Sequence, residues 1–258
     1  MNSIRFLRFL YLVAGIICLL TVPRDLWYYP VLGYFVISVC NGVAGHRYFA
    51  HNQFSVNRVG HYLLGIMTTL GMFSPINYWI VQHKHHHRHS DDLSDIHSPK
   101  RGFWNAFILW SFSKQSVESA FNDRSSLFLL AKSNKDPVVR LLSKYFVLTN
   151  VVFLSLLILI DYQIACYVYL IGVLLDHVRL GLINVVCHAR SFGSYRIYET
   201  EDNSYNNLFL GWAGFGFGWH NTHHNDAGRL VLTERWFEID IEGRIGQLFS
   251  IIFKPSNS

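Results

Sequence analysis

LWYYPVLGYFVISVCNGVAGHRYFAH, residues 26–51, is an apolar run that ends on a pair of histidines. A hydrocarbon layer of about 30 Å takes roughly 20 helical residues to cross, and residues 26–45 supply that length before His46 is reached. The run therefore predicts a membrane span that delivers His46-Arg-Tyr-Phe-Ala-His51 to one side of a bilayer. Three further stretches, 4–22, 143–160 and 163–183, are long and apolar enough to do the same. They form two hairpins, turning tightly at Pro23-Arg24-Asp25 and at Asp161. Arg5 and Arg8 precede the first run as they would in a signal peptide, but no A-x-A cleavage site follows, which makes it a retained span.

Half of the 258 residues are hydrophobic and only 15% are charged, too apolar for an ordinary soluble domain of this length. The net charge of +5 is spread through loops rather than gathered on one face, so it speaks for membrane orientation and against a nucleic-acid partner. Eleven Lys/Arg lie between the hairpins, from Arg47 to Arg140, and the tail is also basic. The positive-inside rule then puts both termini and the histidine-bearing segments in the cytoplasm. Residues 58–72 read as a buried or interfacial helix, and 111–140 as an amphipathic cover. Cys18, Cys40, Cys166 and Cys187 lie in apolar segments without metal or disulfide spacing. The sequence thus predicts an all-α integral membrane protein of one domain, 1–258. Four transmembrane helices carry a cytosolic helical cap, 46–142 and 184–258, that holds a dimetal site.

The fourteen histidines define that site. His83-Lys-His-His86-His87 and His220-Asn-Thr-His223-His224 repeat one pattern, H-x-x-H-H, whose spacings of three and four bring rings onto one helical face. Asn184 and His188 also face one way. His46 and His51 are five apart, which a regular helix turns to different faces. They share a metal only if the helix ends or bends. Nine histidines at such spacings, with almost no carboxylates among them, point to first-row metals bound through neutral imidazole. Nine is too many for one ion, whereas two ions with four or five ligands each would use them. Zinc and iron both suit imidazole, and spacing does not separate them. His61, His85, His89 and His177 are read as structural.

These motifs resemble the membrane acyl-CoA and acyl-lipid desaturases, the family of the stearoyl desaturases. The resemblance covers the three boxes, the Asn184-Val-Val-Cys-His188 element, Trp79, Ser98-Pro-Lys-Arg-Gly-Phe103 and Trp236-Phe-Glu-Ile-Asp240. It implies two iron ions held by His46, His51, His83, His86, His87, His188, His220, His223 and His224, with Asn184 reaching one of them through a water. It implies O2 as co-substrate and an acyl substrate on CoA, a carrier protein or a lipid. With no fused cytochrome b5 domain expected, electrons would come from a separate carrier such as ferredoxin or cytochrome b5 with its reductase. Asp91, Asp95 and His97 would orient ligand imidazoles by hydrogen bonds, and Trp79, Trp212 and Trp219, with Tyr78, would line an acyl tunnel. Asp176, His177 and Arg179 interrupt the fourth span and should face protein, where they could meet a head group.

The chain departs from that pattern in having Gly216-Phe217-Gly218, with no acid, before the third box. It has Val81-Gln82 where many acyl-CoA members carry Arg-Asp, and Asn225-Asp-Ala-Gly228 after the third box. Hydroxylation or acetylenic-bond formation on the same scaffold, a carotenoid ketolase or hydroxylase, and a non-enzymatic membrane metal-binding protein are the competing readings.

Overall fold

The computed structural model of the chain describes residues 2–255, apart from the side chains of residues 115–117. The last three residues of the expected cap lie outside the described residues. Helix α1 (Asn2–Thr21) stops before Pro23, whose extended backbone cannot continue it. After one tight turn at Arg24–Leu26, α2 (Tyr28–Val39) continues without a break into a π-wound segment, Cys40–Ala50. The amphipathic α3 (Arg58–Leu70) is capped by Asn57, and α4 (Ile76–His89) carries the second histidine box. Short helices α5 (Phe103–Phe107) and α6 (Lys114–Ser119) precede α7 (Arg124–Ser133) and α8 (Pro137–Lys144), whose first turns are capped by Asp123 and Asp136. Helix α9 (Phe146–Ile160) ends at Asp161. A second π-wound segment, Ile164–Leu170, then feeds α10 (Ile171–Val186). Three short helices follow: α11 (Leu208–Ala213), α12 (His220–Asn225), which holds the third box, and α13 (Ile241–Ile252).

Three helices are long and apolar enough to cross a membrane, Asn2–Thr21, Arg24–Ala50 and Ile164–Val186, and a fourth span results if α8 and α9 are one bent unit. The expected span 143–160 is therefore interrupted: the chain turns by 69° between α8 and α9. Helix α9 is exposed along much of its length, with Leu159 and Ile160 about four-fifths bare, as suits a face that meets hydrocarbon rather than water. A two-residue antiparallel pair, Ser194–Tyr195 with Asn206–Asn207, is the one sheet among the described residues, with an isolated bridge from Asn206 to Trp219 beside it.

Two features lock the long helices together. Helices α2 and α10 cross at glycines so closely that a Cβ on Gly33 would lie 1.9 Å from the Val168 carbonyl oxygen, and one on Gly172 would lie 2.6 Å from the Gly33 backbone. Such small-residue contacts let backbones approach where no hydrophobic drive exists between helices in lipid. The second is a buried ion network. Arg47 pairs with Asp240 at 2.7 Å and Glu242 at 3.1 Å, while Arg179 pairs with Asp176 at 2.7 Å and Glu242 at 2.8 Å. Asp176 also accepts hydrogen bonds from Ser38 and Asn41. Arg47 thus ties the end of α2 to α13 and, through Glu242 and Arg179, to α10. Asp176 and Arg179 face protein, as expected of charges in a span, and are committed to this network. Replacing Gly33 by valine should force α2 off α10 and lower the thermal unfolding midpoint of the detergent-solubilised protein by several degrees, whereas Leu20→Val on an exposed face should leave it unchanged.

Candidate metal centre

The π-wound end of α2 resolves the five-residue spacing of the first box. In such a helix each N–H bonds five residues back, and His51 N donates to His46 O at 3.1 Å. Five residues then make about one turn, and the two rings face the same way with centroids 4.7 Å apart. Helix α4 presents His83, His86 and His87, α12 presents His220, His223 and His224, and His188 follows the end of α10.

Ring nitrogens of His46, His51, His83, His87 and His223 all lie within 4.8 Å of one another, and those of His86, His188, His220 and His224 do likewise. The nine histidines therefore divide into a group of five and a group of four. Within the five, Nε2–Nε2 distances are 2.7 Å for His51–His83, 3.1 Å for His83–His87 and 3.1 Å for His87–His223. Within the four they are 2.9 Å for His188–His220 and 3.1 Å for His220–His224.

Burial pushes the imidazolium forms of His51, His83, His86, His87, His220 and His223 well below their ordinary range, and the neighbouring rings add to this. These rings are neutral at physiological pH, with a lone pair free to coordinate. His188 differs: burial, the largest single cause, lowers it, but the hydrogen bond to Asp91 and the charges of Asp91, Asp95 and Asp202 together outweigh that, and the net direction is upward. Both ring nitrogens of His46 and the Nδ1 atoms of His51 and His223 are buried without a hydrogen-bond partner. Orphaned buried polar atoms cost about 1–3 kcal/mol each; a cation in the group of five would take up the lone pair that His46 leaves unused, and a cation in either group would meet Nε2 atoms that converge. The residues present fit two imidazole-bound metal ions.

Carboxylates stand behind the four-histidine group. Asp95 meets His86 Nδ1 at 2.9 Å, Asp91 meets His188 Nδ1 at 3.2 Å, and Asp202 meets His224 Nδ1 at 2.5 Å. Asp91 and Asp95 were legible in sequence; Asp202 was not. It sits in a loop where Thr200 Oγ1 and Ser204 N donate to it, and the clustering of Thr200, Asp202 and Ser204 around one side chain is the only local trace of its role. Burial opposes ionisation of Asp202, but the hydrogen bond and charge of His224, with the hydrogen bonds from Ser204 and Thr200, together pull its carboxyl far below the usual range. His97 packs against His86 with ring centroids 4.2 Å apart and planes tilted by 43°, and the two form a further cluster with Asp95.

Asn184 donates to Ala106 O and lines, with His83, His86 and His220, a void of about 20 Å³, room for one or two waters. Trp79 lines the same void, stacks on His83 at 4.9 Å and donates to Gly45 O. Trp219 donates to Ile239 O and packs on Gly211, and Trp212 is half exposed and donates to Phe237 O. Tyr78 lies edge-on to Phe121. The four histidines read as structural have local partners: Tyr48 and Asp136 for His61, Ser94 O for His85, Asp92 for His89 and Val173 O for His177.

A family model described as fatty acid desaturase matches residues 4–229. The chain belongs to the fatty acid desaturase family. It is 32% identical over 212 residues to a delta-9 acyl-lipid desaturase 2 of Arabidopsis thaliana, an alignment that covers 81% of this chain and 67% of that protein. It is 28% identical over 222 residues to an icosanoyl-CoA 5-desaturase of Limnanthes douglasii, covering 81% of this chain and 59% of the relative, so the chain spans well under two thirds of that relative's length. It is 24% identical over 261 residues to a hex-5-enoyl acyl-carrier-protein acetylenase of Moorena producens, covering 90% and 79% of the two chains. Within this desaturase-family chain, replacing Asp202 by asparagine removes the anion that fixes His224. The second metal equivalent should then bind about 10- to 100-fold more weakly in a chelator competition, with the first unchanged.

Proposed function

We propose that this protein is an O2-dependent di-iron desaturase that introduces a double bond into a fatty acyl chain. The observation that carries the reading is the five-plus-four division of the nine histidines, whose ring nitrogens lie within 4.8 Å of one another in each group. Five imidazoles exceed the four ligands of a tetrahedral zinc site, which favours iron over zinc in the larger group. His46, His51, His83, His87 and His223 would hold one iron. His86, His188, His220 and His224 would hold the other, with Asn184 completing it through a water.

Iron bound there supplies the oxidising power that an unactivated C–H bond requires. The reaction joins O2, two electrons from a separate carrier such as ferredoxin or cytochrome b5, two protons and the two hydrogens lost from adjacent methylenes, giving a double bond and two waters. The chain's own residues do the positioning. Phe73, Trp79, Trp110, Leu180 and Phe217 wall the void beside His83, His86 and His220, where they would hold one methylene pair and exclude water. Phe217 packs on His46 at 4.6 Å and covers the Arg179 guanidinium at 4.8 Å, so the apolar residue found in place of an acid keeps this wall dry. Asp91, Asp95 and Asp202 fix the Nδ1–H tautomer of their histidines and leave Nε2 to the metal.

The apolar helices and the distribution of Lys and Arg support a reading of four spans in two hairpins, with 46–142 and 184–255 as a cytosolic cap. The named relatives act on CoA, lipid and carrier-protein substrates, and this chain takes an acyl group on one of these carriers or a free acid. Expression in a host whose lipids are then analysed by mass spectrometry should yield new acyl double bonds at a single position. His86→Ala and His223→Ala, one from each group, should each lower product by at least about a hundredfold. Hydroxylated or acetylenic acyl chains would move the assignment to a sister reaction. Unchanged acyl chains with oxidised carotenoid would overturn it.

A further inference from the structure

Arg8 is 6% exposed, and its contacts are all to carbonyls or rings. Nη1 donates to Ser111 O at 2.7 Å and Nη2 to Phe73 O, and the guanidinium lies 5.8 and 6.0 Å from the rings of Phe73 and Phe112. Nε is buried and has no partner. The two other arginines buried as deeply, Arg47 and Arg179, each pair with two carboxylates. Among the described residues no carboxylate pairs with Arg8, and the nearest charged neighbour on its own helix is a second cation, Arg5, which donates to Asn2 Oδ1 and Phe112 O. Carbonyls satisfy donors but do not neutralise charge, and a buried cation without a counter-anion is strongly unfavourable unless something supplies one.

The position of Arg8 says where that anion would come from. Arg5, Arg8, Ser74, Tyr78, Gln82 and Trp110 line a small void at the N-terminal end of α1. Trp110 is also a wall of the void beside His83, His86 and His220. That second void shares Phe73, Trp79, Leu180 and Phe217 with a third, whose lining also includes Asn41, Gly45, Thr68 and Ser74, the last a wall of the first void as well. The three voids therefore share walls and cluster together. Histidines line one of them, Phe73, Trp79, Leu180 and Phe217 wall it and its neighbour, and Arg5 and Arg8 stand in the void nearest the chain's N-terminus. That polarity is the polarity of an acyl chain with an acidic head.

We propose that Arg8, supported by Arg5, anchors an anionic head group of the substrate, a carboxylate or phosphate oxygen, in the void that shares the Trp110 wall with the one beside the histidines. The inference rests on the acyl-chain reading of the site and adds to it the charge of the head. Gln82, which follows Val81 immediately before the second box, brings no charge of its own to this void, so Arg8 is the residue that sets the preference. Its unpaired Nε–H supplies a charge-assisted hydrogen bond that an uncharged ester returns only weakly.

The test is competition binding to the purified full chain in nanodiscs, with palmitate, 1-palmitoyl-lysophosphatidate and methyl palmitate as probes. The wild type should bind at least one of the two anions about tenfold or more tightly than the methyl ester. Palmitate alone doing so identifies a carboxylate head, and the lysophosphatidate alone a phosphate. Arg8→Gln should erase the difference and Arg8→Lys should keep most of it, which a purely structural arginine would not do. Gln82→Glu, which brings a competing carboxylate to the same void without touching Arg8, should weaken anion binding by a similar factor and keeps the test decisive if Arg8→Gln does not fold. Equal binding of all three probes by the wild type, or an anion preference that survives in Arg8→Gln or Gln82→Glu, would overturn the proposal. Because no turnover is measured, anion preference in a protein that makes no double bonds would sink the desaturase reading alone. Desaturation without anion preference would sink the head-group reading alone.

Discussion

Nine imidazoles converge in one place, and that convergence constrains everything around it. Neutral rings whose Nε2 atoms approach to 2.7–3.1 Å compete for the same few protons. Buried rings that charge instead repel one another in a low dielectric. A cation at the centre of each group satisfies every lone pair at once, so the arrangement makes sense as a container for metal and little sense without it. Four elements must be held in register to build it: the end of α2, α4, the end of α10 and α12. The buried network of Arg47, Arg179, Asp176, Asp240 and Glu242 ties two of them, the end of α2 and α10, to each other and to α13.

The two groups are unlike in their surroundings. Three of the four rings in the smaller group lean on aspartates, whereas the Nδ1 atoms of His46, His51 and His223 in the larger group have no partner. An imidazole backed by a carboxylate is a stronger donor to metal. The four-histidine site gains in basicity what it lacks in ligand number, and the two ions would sit in electrostatically different environments.

Much of this was legible in the chain. The apolar runs located the three long helices, Asn2–Thr21, Arg24–Ala50 and Ile164–Val186, with ends shifted by up to five residues, because length and hydropathy alone decide whether a helix can cross a bilayer. The H-x-x-H-H repeats announced two helices with histidines on one face, because spacings of three and four have one geometric meaning on a helix. His46 and His51 were ambiguous, since a spacing of five is read differently by α- and π-winding, and hydropathy carries no information about which is adopted. The bend between α8 and α9 was invisible because Lys144-Tyr145-Phe146 contains neither proline nor glycine. Asp202 was missed for a related reason: a loop carboxylate that reaches His224 from 22 residues away leaves no periodic signal. Arg8, which resembled the positive flank of a leader or span, acquires meaning only once its burial and lack of a counter-anion are seen.

The most direct measurement is metal analysis of the full chain purified from iron-supplemented cells, combined with Mössbauer spectroscopy after labelling with iron-57. The account predicts two irons per chain and two distinct quadrupole doublets, one for the five-histidine site and one for the carboxylate-backed four-histidine site, with Asp202→Asn altering only one of them. A single tetrahedral zinc that iron supplementation does not displace, or two irons in indistinguishable sites, would contradict it.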